Sequence, residues 1–570
     1  MSFDRVLKNN NALVEEIGEG NAYLILALAL LFEEANPTEL ASAGLTDGGD
    51  DKKIDFIYHD VDARRLIFAQ GYFTEKKVDS APANKASDLN TACAWLVEGK
   101  LEIVPEKLRA TIASFRQAID DGEIDAIDVL YVHNLPESIN VSRELQTTEG
   151  MLRKLVANDN IVIKGYELGK PRVEHLYSAR DSHIAIADSI YFPYEPELTE
   201  AGNKWKASIA TVSGDWISDL FVKYGDDLYS ANYRGFLGAD RRKKVNSGIR
   251  DTAENAPNDF WVFNNGITVL TNGISKKGSR LSLNGISVIN GAQTTGSIGS
   301  VDRAKSDLGK VRLICRIVEC QDQETVEQIV KFNNTQNVIT TWDQFSNDQD
   351  QKRIADEFNE IGFSYNRKRG FVGDGDQIGI EQVLQPLLAY HGRSTDAVRG
   401  KNQLFLVKQL YRNAFEAKKA RHILFVHTLS RAIDNLRLDL KKKSTEEELI
   451  NIENAQLALL KNLNFKPFLI NVVANSLETI VGQRCDSLTT GFKPDAAKGR
   501  SLVDLTARWI PVVETFLPLL TPHVEPETFF RLHSNDDQFI VQVKKTMDAM
   551  LVATNAKDKL SEFAKMVAAT

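Results

Sequence analysis

At 570 residues the chain is too long for one hydrophobic core, and ordinary domain sizes call for two to four domains. Its 43% apolar and 26% charged residues are the balance of a folded globular protein and exclude a disordered or fibrous class. The formal net charge of -9 excludes a protein that coats nucleic acid by bulk attraction, so any contact with a polyanion must be local.

The N-terminal MSFDRVLKNNNALVEEIGEG has neither the charged-then-apolar order nor the cleavage site of a signal peptide. The longest apolar run, Ala22 to Phe32, falls short of the roughly 20 residues that cross a bilayer. It reads as a buried helix, and a cytoplasmic location without membrane contact is expected. The helical signal from Ala22 to Glu34 is followed by two strands within residues 54–73, joined by a turn around Asp60 and Asp62. Helices are expected over Ala86 to Glu98 and Pro105 to Asp120, a strand over Ala126 to Val132, and a helix over Glu149 to Asn158. That order predicts a small α/β domain with a mixed sheet over residues 1–165.

A second region, residues 166–395, is richer in strands, glycines and amides and reads as α+β. Its strand candidates are Asp188 to Tyr194, Trp261 to Thr271, Leu281 to Ile289 and Val311 to Val318, with a helix over Gln323 to Phe332. A third, residues 396–570, is mostly α-helical, with apolar spacing in Ile423 to Leu438, Thr445 to Leu463, Leu502 to Leu517 and Gln542 to Met566. Oligomerisation or partner contact is the expected role of that helical region. The four cysteines, Cys93, Cys315, Cys320 and Cys485, form no CxxC pair and have no histidines at metal spacing, so neither a disulfide framework nor a zinc site is indicated.

Three segments place carboxamides where a core would want apolar side chains: FWVFNNGITVL (260–270), SVINGAQTTGSI (287–298) and KFNNTQNVITTWDQFSND (331–348). In the first, Asn264, Asn265 and Gly266 interrupt a β-rich run, as a bulge or tight turn would. In the second, Asn290, Gly291 and Gln293 fall at a strand-to-helix junction, where free backbone N–H groups and the helix dipole favour an anion. In the third, Asn333, Asn334, Gln336 and Asn337 precede the acidic run Asp343 to Asp350. Carboxamides donate and accept at once, so such groups read base edges, orient water or staple loops. Two basic clusters, Arg234 to Arg250 and Asn366 to Gly370, are either local polyanion contacts or solvated faces.

The series NNGIT, ING-x-QT and NNTQN, with NYRGFLGADRRKKVNSGI upstream (232–249), resembles the AIPR (abortive infection phage resistance) family from about Leu228 to Arg369. The resemblance implies bacterial defence against phage. ING-x-QT is also similar to a relaxed DGQHR signature of ParB-like domains, with Asn290 for the aspartate, Ala292 inserted, and Thr294 and Thr295 for histidine and arginine. The changes speak against nucleotide hydrolysis and leave nucleotide or nucleic-acid binding, for which Arg234, Asn264, Asn265, Asn290, Gln293, Asn333 and Gln336 are the candidate residues.

The hairpin near the start resembles the PD-(D/E)xK nuclease superfamily, in which a carboxylate on one strand and an acidic or amide residue on the next hold a divalent ion. A lysine two residues on helps activate water. By that resemblance Asp55 and Gln70 are metal ligands for Mg²⁺ or Mn²⁺ and catalytic residues, with Asp50 and Asp51 in the preceding loop. Glu33 takes the helix-borne acidic position, with Glu16 as the weaker candidate. Tyr72 stands in the lysine position, and Lys76 or Lys77 are the candidates to reach back. An aspartate-rich turn is the plain alternative. No GxSxG elbow, HExxH helix or Walker loop is present, and GDGDQIG (373–379) lacks the later glutamate of a calcium loop and reads as a surface loop.

The expected molecule is therefore a multidomain α/β defence protein: a restriction-endonuclease-like N-terminal domain that cuts DNA or RNA, an AIPR domain that senses nucleic acid, and a helical region. It is expected to form a homo-oligomer or to engage another defence-system or phage protein. The alternative is a non-catalytic sensor with a degenerate nuclease fold.

Overall fold

The computed structural model describes residues 3–568 apart from 47–52, 105, 159–160, 180–183, 185, 226–227, 230–242, 278–279, 304–305, 335–348, 368–369, 372, 374, 463, 487 and 526–536. The candidates Asp50, Asp51, Arg234, Gln336 and Asn337 lie outside the described residues. Packing divides the chain into two compact units, one of residues 158–162 and 171–340, the other of 3–157, 163–170 and 341–570.

In the larger unit two short helices, Asp4–Asn9 and Asn11–Ile17, lead into helix α1 (Glu19–Phe32), whose residues from Ala22 to Leu31 are all buried. A helix apolar on every side is a core helix, which is why the run is no membrane span. After α2 (Pro37–Gly44) come strands β1 (Phe56–Asp60) and β2 (Arg65–Tyr72), an antiparallel hairpin. The Asp60 carboxylate accepts a hydrogen bond from the Ala63 backbone N–H at 2.8 Å, which sets the turn. Helices α3 (Ala83–Val97) and α4 (Glu106–Asp120) lead to β3 (Ala126–His133), which pairs parallel to β2. Helix α5 (Ile139–Val156) and β4 (Val162–Leu168) complete a four-stranded sheet in the order β1-β2-β3-β4. Four consecutive buried residues, Leu66 to Ala69, mark β2 as a strand covered on both faces. Helix α5 starts ten residues earlier than the apolar spacing suggested, because Ser138 caps it by accepting from the Val141 N–H.

The middle unit is built on β5 (Ile186–Phe192), β6 (Leu198–Ala201), β7 (Trp205–Ser213), helices α6 (Gly214–Tyr224), α7 (Lys243–Asn255) and α8 (Phe260–Phe263), then β8 (Ile267–Thr271), β9 (Ile274–Lys277) and β10 (Arg280–Asn290). Helix α9 (Ala292–Gly299), β11 (Arg312–Cys320) and α10 (Gln323–Asn334) follow. The sheet order is β5-β10-β8-β11-β7-β6 with β9 beside β10, and the β8–β11 pair is parallel. Val269, Val288 and Ile317 pack with α6 and α9 on one face, while Leu270, Ile289 and Val318 pack with Val326 and Val330 of α10 on the other. The strand expected over Trp261 to Thr271 is replaced by a helical turn and a strand beginning only at Ile267. Asn264 causes the break: its side-chain oxygen accepts from the Gly266 N–H at 2.9 Å, and Gly266 turns to φ 76°.

From residue 349 the chain returns to the larger unit as helices α11 (Gln349–Glu360), α12 (Ile380–Tyr390), α13 (Ala420–Glu446), α14 (Phe465–Val481) and α15 (Ile510–Leu520) with shorter pieces between. One core runs from Ile354 to Val567, centred on fully buried Trp509, whose ring lies 4.6 Å from Phe425 and 4.5 Å from Phe563. This differs from three consecutive domains divided at 165 and 395. The apolar faces of α11 and α12 need α13 and α14 to cover them, and α2 lies on α13. The 373–379 segment is likewise held, with the Gly375 carbonyl accepting from Arg431 at 3.3 Å and residues 377–379 pairing with 364–366. Among the described residues no helix is long and apolar enough to cross a membrane.

Glu16, in the short helix Asn11–Ile17, has a buried, unpartnered Oε1. Burial pushes its carboxyl up to about 7, with Asp439 adding and Arg431 opposing. Because an acid whose folded pKa exceeds its unfolded value binds its proton more tightly when folded, stability is lost as pH rises between those two values. Glu16→Gln is expected to flatten that decline between about pH 5 and about pH 8 and to be more stable at the upper end by ~2 kcal/mol. Urea unfolding at both pH values measures it; parallel wild-type and variant curves would show that Glu16 is not the group responsible.

Candidate functional site

Asp55 stands where the chain enters β1. Its backbone N–H donates to Ala69 O at 3.1 Å and its carbonyl accepts from the Thr46 N–H at 3.0 Å, so the position is fixed from both sides. The Oδ2 atom accepts from Gln70 Nε2 at 2.6 Å and from the Gly71 N–H at 2.7 Å. Gln70 is 5% exposed, and its Oε1 is buried without a partner. A half-turn of the carboxamide exchanges its oxygen and nitrogen. Turned, it brings an oxygen against a carboxylate at a spacing that calls for a cation between them. The donor set suits a hard, oxygen-liganded divalent ion such as Mg²⁺, which is held by one or two protein groups and fills its other positions with water and phosphate. Among the described residues no three His, Cys, Asp or Glu side chains are grouped to hold an ion, so the pair itself is the available set.

Tyr131 lies opposite Gln70 on β3 and His133 opposite Tyr72. Burial holds the Tyr131 hydroxyl above its ordinary range, and the nearby Tyr72, Glu167, Asp55 and Asp88 add to it. His133 is fully buried, with Nε2 3.1 Å from Glu167 and Nδ1 3.0 Å from Leu135 O. Lys53, two residues before Asp55, pairs with Asp88 at 2.7 Å. Lys76 and Lys77 are exposed, beyond a Thr74 whose backbone is tied to Asn134.

The structure does not bring Glu33 to this pair. The Gly71 position abuts Leu24, and Tyr23 lies 5.6 Å from Phe73, so the start of α1 is at the Asp55 end of β2. Phe32, at the far end of α1, instead packs 5.6 Å from the Arg65 guanidinium where β2 begins. Glu33 is thus about five residues, roughly 16 Å, along the strand from Gln70. Glu16 faces Arg431, Asp434 and Asp439 rather than Asp55.

In the middle unit the amide motifs meet at one edge of the sheet, where β8 and β11 begin and β10 ends. Asn264 Nδ2 donates to Thr294 Oγ1 at 3.1 Å, and Asn290 is in register with Thr268. Arg316 donates to Thr268 Oγ1 at 3.2 Å and to Asn333 Oδ1, while Asn333 Nδ2 donates to Ile329 O at 2.8 Å. Asn265 is exposed and Gln293 half-buried in the first turn of α9. Two glycines make the edge possible: a Cβ at Gly266 would lie 2.2 Å from Ile314 O, and one at Gly291, with φ 91°, 2.6 Å from Ile267. Arg316 was not singled out in the sequence; its signal is a cation at an outward position in the middle of the run RLICRIVEC, four residues after Arg312.

These features define a mixed α/β protein carrying a carboxylate–carboxamide pair at the end of one sheet and an amide-lined edge on another. Residues 229–484 match the model of a family described as AIPR protein. The match takes in the amide-lined edge and the helices from α11 to α14, and Asp55 and Gln70 lie before it. No curated protein and no solved structure matches the chain.

Gly266→Ala forces both a left-handed backbone and a collision with a carbonyl. It is expected to destabilise the middle unit by well over ~1 kcal/mol, seen as faster amide exchange in β8 and β11. Exchange unchanged from wild type would mean the loop and β11 do not cross this closely.

Proposed function

We propose that the chain is a bacterial anti-phage defence protein of the abortive-infection kind and that its effector activity is metal-dependent cleavage of nucleic acid at Asp55 and Gln70. The AIPR match supports the defence role. The observation that carries the nuclease reading is the buried, unpartnered Gln70 Oε1 on β2 beside the carboxylate of Asp55, the residue just before β1, an arrangement in keeping with the PD-(D/E)xK resemblance.

In this reading Asp55 and Gln70 hold Mg²⁺ or Mn²⁺, which when bound lowers the pKa of water and offsets charge on the phosphodiester. The Gly71 N–H keeps the carboxylate aimed while the carboxamide turns. Tyr131, neutral at physiological pH, adds no negative charge beside the phosphate.

A second reading, a sensor without catalysis, is favoured by one feature: Tyr72 occupies the position of the activating lysine, while Lys76 and Lys77 are exposed to solvent. The two are separated by incubating purified protein with single- and double-stranded DNA and RNA in Mg²⁺, Mn²⁺ or chelator, beside Asp55→Ala and Gln70→Ala. Cleavage that needs metal and drops about 100-fold or more in Asp55→Ala supports the nuclease. Mn²⁺ should also raise the melting temperature of wild type and not of Asp55→Ala, since only the native state binds it. Equal metal stabilisation of the two proteins would sink the metal site, and metal binding without cleavage would favour the sensor.

A further inference from the structure

Helix α2 (Pro37–Gly44) ends among buried residues. The last carbonyls of a helix have no partner within it, and burying them is costly unless a donor comes from elsewhere. In a longer helix the Ser42 carbonyl would accept from the Thr46 N–H, four residues on. Here the Thr46 N–H donates to Asp55 O instead, at 3.0 Å. The acceptor left over is taken by α13: the ammonium of Lys441, a residue only 9% exposed, donates to Ser42 O and, at 3.1 Å, to Leu45 O. A cation also suits the negative end of the helix dipole. From this end the chain runs directly against the start of β1. Leu45 pairs antiparallel with Phe56, and Thr46 Oγ1 donates to Ile54 O. The Phe56 ring lies so close to Gly44 that a Cβ there would be 2.1 Å from it.

We infer that Lys441 is a positioning residue for the Asp55–Gln70 site: by donating to Ser42 O it leaves the Thr46 N–H for Asp55 O. Its functional meaning rests on the metal-site reading proposed above. Without the ammonium, Ser42 O is a buried acceptor that competes for the Thr46 N–H, and taking that bond would lengthen α2 by one residue. Asp55 O would then lose its donor. The carboxylate would shift against Gln70 Nε2 and the Gly71 N–H, which hold it at 2.6 and 2.7 Å. Groups that only orient a ligand set affinity nearly as much as the ligands do, because a small misplacement spoils the geometry an ion needs. Lys441 falls within the residues matched by the AIPR model and Asp55 before them, so the family-like segment acts on the site through the end of α2.

The test compares the full-length chain with Lys441→Met, which keeps the buried stem and removes the donor. Trp509→Phe, a change in the helical core that leaves residues 41–56 untouched, controls for a general loss of stability. Lys441→Gln, which keeps a neutral donor, replaces the methionine variant should that one not fold. Amide exchange without metal is read first: at Asp55 and Gly71 it should be about 10-fold or more faster in Lys441→Met than in Trp509→Phe. The Mn²⁺ concentration that half-stabilises the protein against heat should rise about 10- to 100-fold in Lys441→Met and stay at the wild-type value in Trp509→Phe. Exchange at Asp55 and Gly71 no faster than in the control, or an unchanged Mn²⁺ midpoint, would overturn the positioning role and leave Lys441 as a docking residue only. A wild type that Mn²⁺ does not stabilise removes the metal reading instead, and the exchange rates then decide alone whether Lys441 positions Asp55.

Discussion

Lys441 of α13 donates to the backbone carbonyls of Ser42 and Leu45, which lie 399 and 396 residues away in sequence. Leu45 pairs with Phe56, the first residue of β1, and the next residue back is Asp55. The candidate metal ligand is thus held by a stretch of chain whose carbonyls depend on an ammonium from the far end of the protein. Around it lie further charges joining the same two stretches. Lys466 is 2.7 Å from Asp434 and 3.6 Å from Glu39, and Lys401 is 2.8 Å from Glu34. Burial pushes the Asp434 carboxyl up, whereas for Glu39 Lys466 and Lys401 more than offset burial and hold it down at about 2. Such groups add little net stability as pairs, yet removing one partner strands the other at about 3–5 kcal/mol. Their effect is to specify one docking of helices on sheet.

The middle unit rests on a steric constraint instead. Gly266 lets the chain pass against Ile314 O, and Gly291 lets β10 turn into α9 against Ile267. With no side chain at either position, the starts of β8 and β11 and the end of β10 close on one another. Asn264, Thr294, Thr268, Arg316 and Asn333 are then within bonding distance in successive pairs. The carboxamides that interrupt apolar runs in the sequence are therefore the bonds that seal this edge. Asn265, by contrast, is left facing solvent.

Local elements were legible wherever apolar spacing was strong. Ala22 to Phe32, the 54–73 hairpin, Ala126 to Val132 and the strands at 281–289 and 311–318 all form within a few residues of their expected bounds. Where a polar side chain decided the matter, periodicity misled. It ran a strand through Asn264, joined 502–517 into one helix although Pro511 restarts it, and overlooked the half of α5 before Glu149. Asp55 and Gln70 were paired by the nuclease resemblance, and the hairpin register that sets Phe56 opposite Ala69 brings the two side chains together. Glu33 could not be placed, since the direction of α1 against β2 depends on contacts such as Phe32 with Arg65 that leave no sequence pattern. For the same reason three consecutive domains were expected: the charge pairs joining residues 34–45 to 401–466 carry no periodicity.

The residues matched by the AIPR model run from 229 to 484 and so end in the helices of the larger unit. Asp434, Lys441 and Lys466 all fall inside the match, while their partners Glu39, Ser42 and Leu45 fall well before it. Helix α13 is therefore both part of the family-like segment and the support for the strand that positions Asp55. A protein cut at the start of the match would take Glu39 from Lys466 and the Ser42 and Leu45 carbonyls from Lys441, and expose the face of α13 that α2 covers. The sheet with the Asp55–Gln70 pair is, on this physical ground, not an appendage to the family-like segment but the other half of its fold.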